Sequence, residues 1–301
     1  MSDQVWVVGE VLIDLIPNAD QHQAVVGGGP ANTAKALAKL GVKTYFIDGI
    51  SSDEYGQMAN AELRSANVSL DYAQYSNKPT CTAKVTLDSL GSASYEFVIE
   101  DTATFDFSAT WLPEPQRLKP SLLHIGTLAT VIEPGASVLF EWAQSVANVA
   151  PIVFDPNIRP AVLGNRDEYV KKVEKWVAIS SAVKVSDEDL NWLYPGKSMD
   201  VIANKWLKVG VKLVLVTLGD KGITAYRENE QISVVAVKVV VADTVGAGDT
   251  VGAVLVEAII KNGLDKLTGE VLKSMLNRAV KAAAITVSRT GANPPSKDEI
   301  D

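Results

Sequence analysis

Residues 242–253 read Ala242-Asp243-Thr244-Val245-Gly246-Ala247-Gly248-Asp249-Thr250-Val251-Gly252-Ala253. The stretch follows a valine run and precedes a segment in which Val254, Leu255, Ala258 and Ile259 recur at helical spacing, so it reads as the turn between a strand and a helix. Glycines there let backbone N–H groups converge on one point, and the helix N-terminus adds partial positive charge, which makes the turn a ready anion site. A turn alone needs glycine; it does not need the carboxylates of Asp243 and Asp249. Read locally, Asp249 is either a helix N-cap or a functional acid, and a helix N-terminus should hold its pKa low.

Outward from this turn, short β-rich runs alternate with helix-like segments. Residues 5–8 precede 30–40, 45–50 precede 55–65, 152–154 precede 167–178, and 212–217 form another buried strand. That alternation predicts an α/β fold with a mostly parallel sheet and helices on both faces. Two regions break it. Residues 81–87 and 94–99, joined by 88–92, alternate apolar and polar as a hairpin with one wet face does, and are expected to form a small β lid. Residues 222–227 and 231–237 read as a hairpin within the main body, and the alanine-rich segment 269–288 as a closely packed helix. With no linker and no repeat, the expectation is one domain over 1–301, its lid built from about 11–26 and 79–106.

Composition narrows the function. A net charge of −8 without a run of lysines or arginines argues against nucleic acid or an acidic membrane as partner, while small anions remain open. The lone Cys81 excludes an internal disulfide, and His22 and His124 alone make no zinc ligand set. No basic leader opens the chain, Glu10 and Asp14 interrupt its first apolar run, and no stretch approaches the ~18 apolar residues of a membrane span, so a cytoplasmic protein in a reducing compartment is expected.

Three glycine-bearing segments bear comparison with nucleotide-binding motifs. Gly196-Lys197-Ser198 looks like the end of a P-loop, but Asn191 stands where its first glycine belongs. Gly246, Gly248 and Gly252 lie near a dinucleotide fingerprint, yet no strand with an acidic end follows. Gly27-Gly28-Gly29-Pro30-Ala31-Asn32 precedes a helix; Pro30 suits a first turn, and Asn32 can present a polar group to whatever the glycines approach.

Together these segments resemble the ribokinase-like, or PfkB, carbohydrate kinase family over essentially the whole chain. Its first signature resembles 28–34 followed by Leu40-Gly41, its second 243–249. The resemblance implies a three-layer α/β/α sandwich with a β lid, ATP and Mg2+ as cofactors, and K+ as an optional one. Segments 9–14 and 155–160 are similar to those of fructokinases and 2-keto-3-deoxygluconate kinases, which implies sugar contacts for Asp14, Gly28, Gly29, Asn32 and Arg159, with Phe97 from the lid. The bland readings are a solvated strand terminus for Asp14, a surface ion pair for Arg159 and a packing role for Phe97. Thr217, Gly219 and Gly222 resemble the nucleotide loop; Ser186 and Asp189 occupy the place of the N-x-x-E motif, implying ATP contact for Ser186 and Mg2+, through water, for Asp189. Gly246 and Gly248 also touch ATP in this scheme, and Asp243, with carbonyls near Val245 and Gly291, resembles a monovalent-cation site.

The implied reaction is phosphoryl transfer from ATP to a primary hydroxyl of a keto sugar, foremost fructose. Asp249 would take the proton, and the N–H groups of Gly246, Ala247 and Gly248 would receive the charge. The rivals are 2-keto-3-deoxygluconate kinase, an aminoimidazole riboside or other nucleoside kinase, and a catalytically silent sugar-binding regulator. A half-polar lid in need of cover suggests a homodimer through the lids.

Overall fold

The first strand, β1 (Val5–Val8), is buried throughout and divides its side chains between two cores, Val5 and Val7 to one and Trp6 and Val8 to the other. Side chains alternate across a strand, so a run buried on both faces belongs inside a sheet covered on both sides. This chain is described by a computed structural model over residues 4–18, 21–87 and 93–301.

After β1 come β2 (Leu12–Asn18), β3 (Gln21–Gly27), α1 (Gly29–Lys39), β4 (Thr44–Ile47), β5 (Gly49–Ser51), α2 (Glu54–Ser65), β6 (Gln74–Ser76), β7 (Thr82–Leu87) and β8 (Ala93–Val98). The middle of the chain adds α3 (Pro115–Leu118), β9 (Leu122–Gly126), α4 (Gly135–Ala147), β10 (Ile152–Asp155), α5 (Arg166–Val177), β11 (Ala182–Ser186), α6 (Asp187–Leu193) and α7 (Met199–Lys208). The last part holds β12 (Leu213–Thr217), β13 (Ile223–Arg227), β14 (Glu230–Val234), α8 (Ala247–Asn262), α9 (Gly269–Val287) and α10 (Lys297–Ile300).

Eight strands form the main sheet in the order β14-β13-β12-β11-β10-β9-β1-β4, all running the same way except β13, which pairs antiparallel with both β12 and β14. Helices α1, α8 and α9 cover the Val5/Val7 face, and α4, α5 and α7 the Trp6/Val8 face, giving the three layers. The crossover through α1 leads from β1 to β4, whereas the chain after β9 runs the other way through α4 to β10. The order therefore reverses between β1 and β9, and a crevice opens at the carboxyl ends of the strands, where such sheets bind ligands. A four-stranded sheet, β3-β2-β7-β8, forms the lid, with β2 and β7 pairing in parallel. The lid turn expected at 88–92 lies outside the described residues. No helix among the described residues is long and apolar enough to cross a membrane.

Three sequence expectations need correction. The 45–50 strand is two: β4 ends at Ile47, and β5 pairs with β6 in a separate sheet. Buried Asp48 makes the break by accepting the N–H groups of Val11 and Gly49, each at 2.8 Å. The 231–237 strand stops at Val234, which pairs with Ile223, the first residue of its one neighbour β13. The valine run before the opening turn is likewise no strand; with no neighbour to pair with it lies on the surface, Val240 being 89% exposed.

Candidate active site

The opening turn is the N-terminus of α8. Its N-cap is Gly246, in the left-handed conformation, and no side chain caps the helix. Asp249 stands in the first turn of the helix and makes no capping bond, so the N-cap reading of this residue fails. Its Oδ2 accepts instead from Asn32 Nδ2 of α1 at 3.0 Å. First-turn N–H groups lack partners within a helix; here the Ala247 N–H reaches the Thr244 carbonyl at 3.4 Å.

Gly29 measures how closely the segments meet. A Cβ placed on it would lie 3.2 Å from Asp249 Oδ1, 3.2 Å from Asn157 Nδ2 and 3.0 Å from Thr127 Cγ2. The start of α1, the start of α8 and the segments after β9 and β10 therefore converge on one spot in the crevice. Gly28 precedes it at φ 103°. Asn32 gives its amide nitrogen to Asp249, while its buried Oδ1 has no hydrogen-bond partner.

Burial works against charge here. It raises Asp249 to about 6, with Lys184 pulling the value down, Asp155 pushing it up, and Asn32 and Arg159 lowering it. Desolvation thus outweighs the pull of Lys184 and lifts Asp249 above the low pKa expected at a helix N-terminus. Asp14 lies within β2, not at the end of the first strand, and burial lifts it to about 6 against the pull of Arg159. Its carboxylate packs on Gly27, where an added Cβ would come within 2.2 Å. Arg159 is exposed; its guanidinium donates to the Ile158 carbonyl at 3.0 Å, and its charge acts on Asp14, Asp249 and Glu10. Phe97 of β8 is half-buried, opposite Ala83, and packs against the core on the Trp6 side.

Ser186 and Asp189 form a capping box at α6: Ser186 Oγ accepts from the Asp189 N–H at 3.0 Å, and Asp189 Oδ2 from the Ser186 N–H at 3.3 Å. Asp189 Oδ1 also accepts from the Ile158 N–H at 2.9 Å, so both oxygens already serve the backbone. Thr217 ends β12 beside β11 and leads into Gly219 and Gly222, both at positive φ. Gly222 packs tightly on 234–236. Asp243 joins two segments, Oδ1 accepting from the Val245 N–H at 3.0 Å and Oδ2 from the Gly291 N–H at 2.9 Å.

Other groups become visible only in three dimensions. Lys184 of β11 and Asp155 of β10 form a buried ion pair at 2.8 Å under the 246–248 turn. Glu10, raised to about 7 by burial, bonds the Thr127 hydroxyl and bridges β1 to β9 at the crevice. Nothing in the spacing of these residues announces the contacts. Two surface clefts at the opposite ends of the strands, one lined by Ser181 and Gly210, the other by Arg227 and Glu228, contain none of the residues above.

Residues 2–299 match the pfkB family carbohydrate kinase. A fructokinase of Rhizobium leguminosarum bv. trifolii is 32% identical over 278 residues, covering 91% of this chain and 84% of that protein. One from Vibrio alginolyticus is 30% identical, covering 96% of this chain and 94% of that protein. The crystal structure of a Vibrio cholerae O395 fructokinase double mutant in fructose, ADP and potassium ion bound form superposes with a TM-score of 0.85 at 26% identity, covering 96% of this chain and 93% of that one. The ATP-bound fructokinase structure from Xylella fastidiosa, at 24% identity, shares the fold with a TM-score of 0.92, covering 100% and 97%.

Proposed function

The chain belongs to the pfkB family of carbohydrate kinases, and from that premise we propose that it is a fructokinase, converting fructose and ATP to fructose 6-phosphate and ADP. The observation that carries this reading is Asp249 at the helix start, hydrogen-bonded to Asn32 and facing the glycine turn at Gly29. A carboxyl with a pKa of about 6 is ionised at neutral pH and can accept a hydroxyl proton.

In this reading Asp14, Asn32, Arg159 and the backbone at Gly28 and Gly29 hold the sugar, with Phe97 closing from the lid. Asp249 takes the proton as the hydroxyl attacks. The N–H groups of Gly246, Ala247 and Gly248 receive the charge on the transferred phosphoryl, which is where such sites do most of their work. Ser186, Thr217, Gly219 and Gly222 line the nucleotide side, and the exposed valines of 237–241 offer an apolar surface to the purine.

Among the described residues no group of three or more His, Cys, Asp or Glu side chains is arranged to hold a metal. Mg2+ would arrive on the ATP phosphates, and Asp189, each oxygen of which accepts one backbone N–H and keeps further lone pairs, would reach it through water. Asp243 would serve a monovalent cation on the same terms, its oxygens accepting one N–H each from Val245 and Gly291. Turnover in KCl equal to that in tetramethylammonium chloride would remove the K+ site. The lid sheet exposes Ile16 and Val98, which favours a homodimer through the lids; full activity from a particle that scatters light as a monomer would dismiss it.

The deciding experiment is a coupled ADP assay with fructose, 2-keto-3-deoxygluconate, ribose, adenosine and aminoimidazole riboside. Fructose should give the highest kcat/KM. Turnover with a nucleoside alone would overturn the substrate, and no turnover with any would overturn the kinase.

A further inference from the structure

Beneath the 246–248 turn lies a charge pair with no evident part in folding. Alternation along β10 and β11 puts Asp155 and Lys184 on the sheet face that α8 covers, and their side chains are only 2% and 6% exposed. A Cβ placed on Gly248 would lie 2.8 Å from Lys184 Nζ, so the ammonium fills the space directly under the turn. Well-packed apolar residues usually stabilise a fold at least as well as a buried ion pair. The pair therefore calls for another reason.

The surroundings supply one. From β11 Lys184 attracts the Asp249 carboxylate, from β10 Asp155 repels it, from α1 Asn32 donates to it, and from the segment after β10 Arg159 attracts it. His124 of β9 lies on the same face with neither ring nitrogen partnered; burial, and then Lys184, hold it neutral at a pKa of about 3, so it brings no rival cation. Burial works against the Lys184 charge, but Asp155 and Asp249 outweigh it and keep the ammonium protonated, with Asp189 of α6 adding to them.

We propose that Lys184 is a positioning residue of the phosphoryl transfer: clamped by Asp155, its ammonium is the fixed charge that keeps Asp249 an ionised base and forms the floor under the 246–248 turn. The inference rests on Asp249 being the base. During transfer the sugar oxygen bonds to the γ-phosphorus, the bond from that phosphorus to the bridging oxygen breaks with its electrons leaving on ADP, and the hydroxyl proton passes to Asp249. Lys184 keeps its own proton throughout, held against the Asp155 carboxylate at 2.8 Å.

The two partners push Asp249 in opposite directions, and this provides the test. Lys184→Met should move the acid limb of the kcat–pH profile up by roughly one to three pH units. Asp155→Asn should move it down, and the double variant should fall between the two. A pair that serves only the fold would lower the melting temperature in both variants and leave the limb where it is; that result overturns the proposal. Carbon-13 NMR of the Asp249 carboxyl, assigned by its loss in Asp249→Asn, should show the same opposite shifts without substrate. If no sugar is phosphorylated, the functional reading falls while this titration still decides the role of Lys184. Should Lys184→Met fail to fold, Asp155→Asn decides alone: an Asp249 titration moved to lower pH upholds the role, and one unmoved or raised overturns it.

Discussion

Asp249 meets opposing demands from its surroundings: the α8 N-terminus and Lys184 favour its charge, while burial disfavours it and sets the outcome at about 6. Because Gly246 caps the helix, Asp249→Asn removes no capping bond and should leave the melting temperature unchanged or higher. An amide cannot take the proton, so turnover should fall by roughly 10² to 10⁴ while ATP still raises the melting temperature. Wild-type turnover in this variant would refute the base. In the wild type, activity should decline as pH falls through about 6, where Asp249 takes up a proton. Arg159→Ala tests the sugar side. The guanidinium favours the charged forms of Asp14 and Asp249, and losing a charge-assisted hydrogen bond to substrate costs about 1.5 to 3 kcal/mol. The sugar KM should therefore rise steeply with that of ATP unchanged; equal rises in both would mark a structural arginine.

Among the elements, α6 shows how a short helix orders a loop. Its capping box uses Ser186 and Asp189, and the second Asp189 oxygen reaches across to the Ile158 N–H, next to Arg159. Burial raises the Asp189 pKa, the Ser186 bond opposing it, as expected of a carboxylate enclosed by backbone. Asp189→Ala keeps the Ser186 cap on its own N–H but loses the bonds its carboxylate accepts from the Ser186 and Ile158 N–H groups, at a cost of about 0.5 to 1.5 kcal/mol each. It should also raise the sugar KM, by releasing the segment that carries Arg159. If the variant instead raises the Mg2+ or ATP requirement and spares the sugar KM, Asp189 acts on the metal.

At the scale of the molecule, several acids are buried around one crevice. Glu10 is raised to about 7, Asp14 and Asp249 to about 6, and Asp48 well above its ordinary value, each mainly by burial. A carboxyl with a raised folded pKa binds its proton in the folded state first, so its stabilising effect is complete below the unfolded pKa of about 4 and is lost as pH rises through 6 to 7. His124 opposes this below its unfolded value of about 6.5, since only the unfolded chain then binds its proton. With several acids against one imidazole, the ligand-free protein should melt higher at pH 5.5 than at pH 7.5. A melting temperature that falls over this range would mean that these carboxyls stay ionised in the fold.

The two glycine-rich turns, the carboxylate beside the second of them and the α/β alternation were legible in the residues themselves, because turn chemistry and side-chain period are local properties. The division of β4 from β5 and the end of β14 were not legible, because they depend on the buried Asp48 carboxylate and on the pairing with β13, which sequence does not display. The valine run misled for the same reason: apolar β-formers make a strand only where a neighbour offers its hydrogen bonds. Asp249 meets Asn32 across 217 residues and Lys184 meets Asp155 across 29, in elements that touch only once the sheet and α8 have packed. The chain by itself singled out Asp249, Asn32 and the glycine turns as candidates for the chemistry. Only the tertiary structure decided the charge state of Asp249, because desolvation is set by what packs over a group and not by its neighbours in sequence.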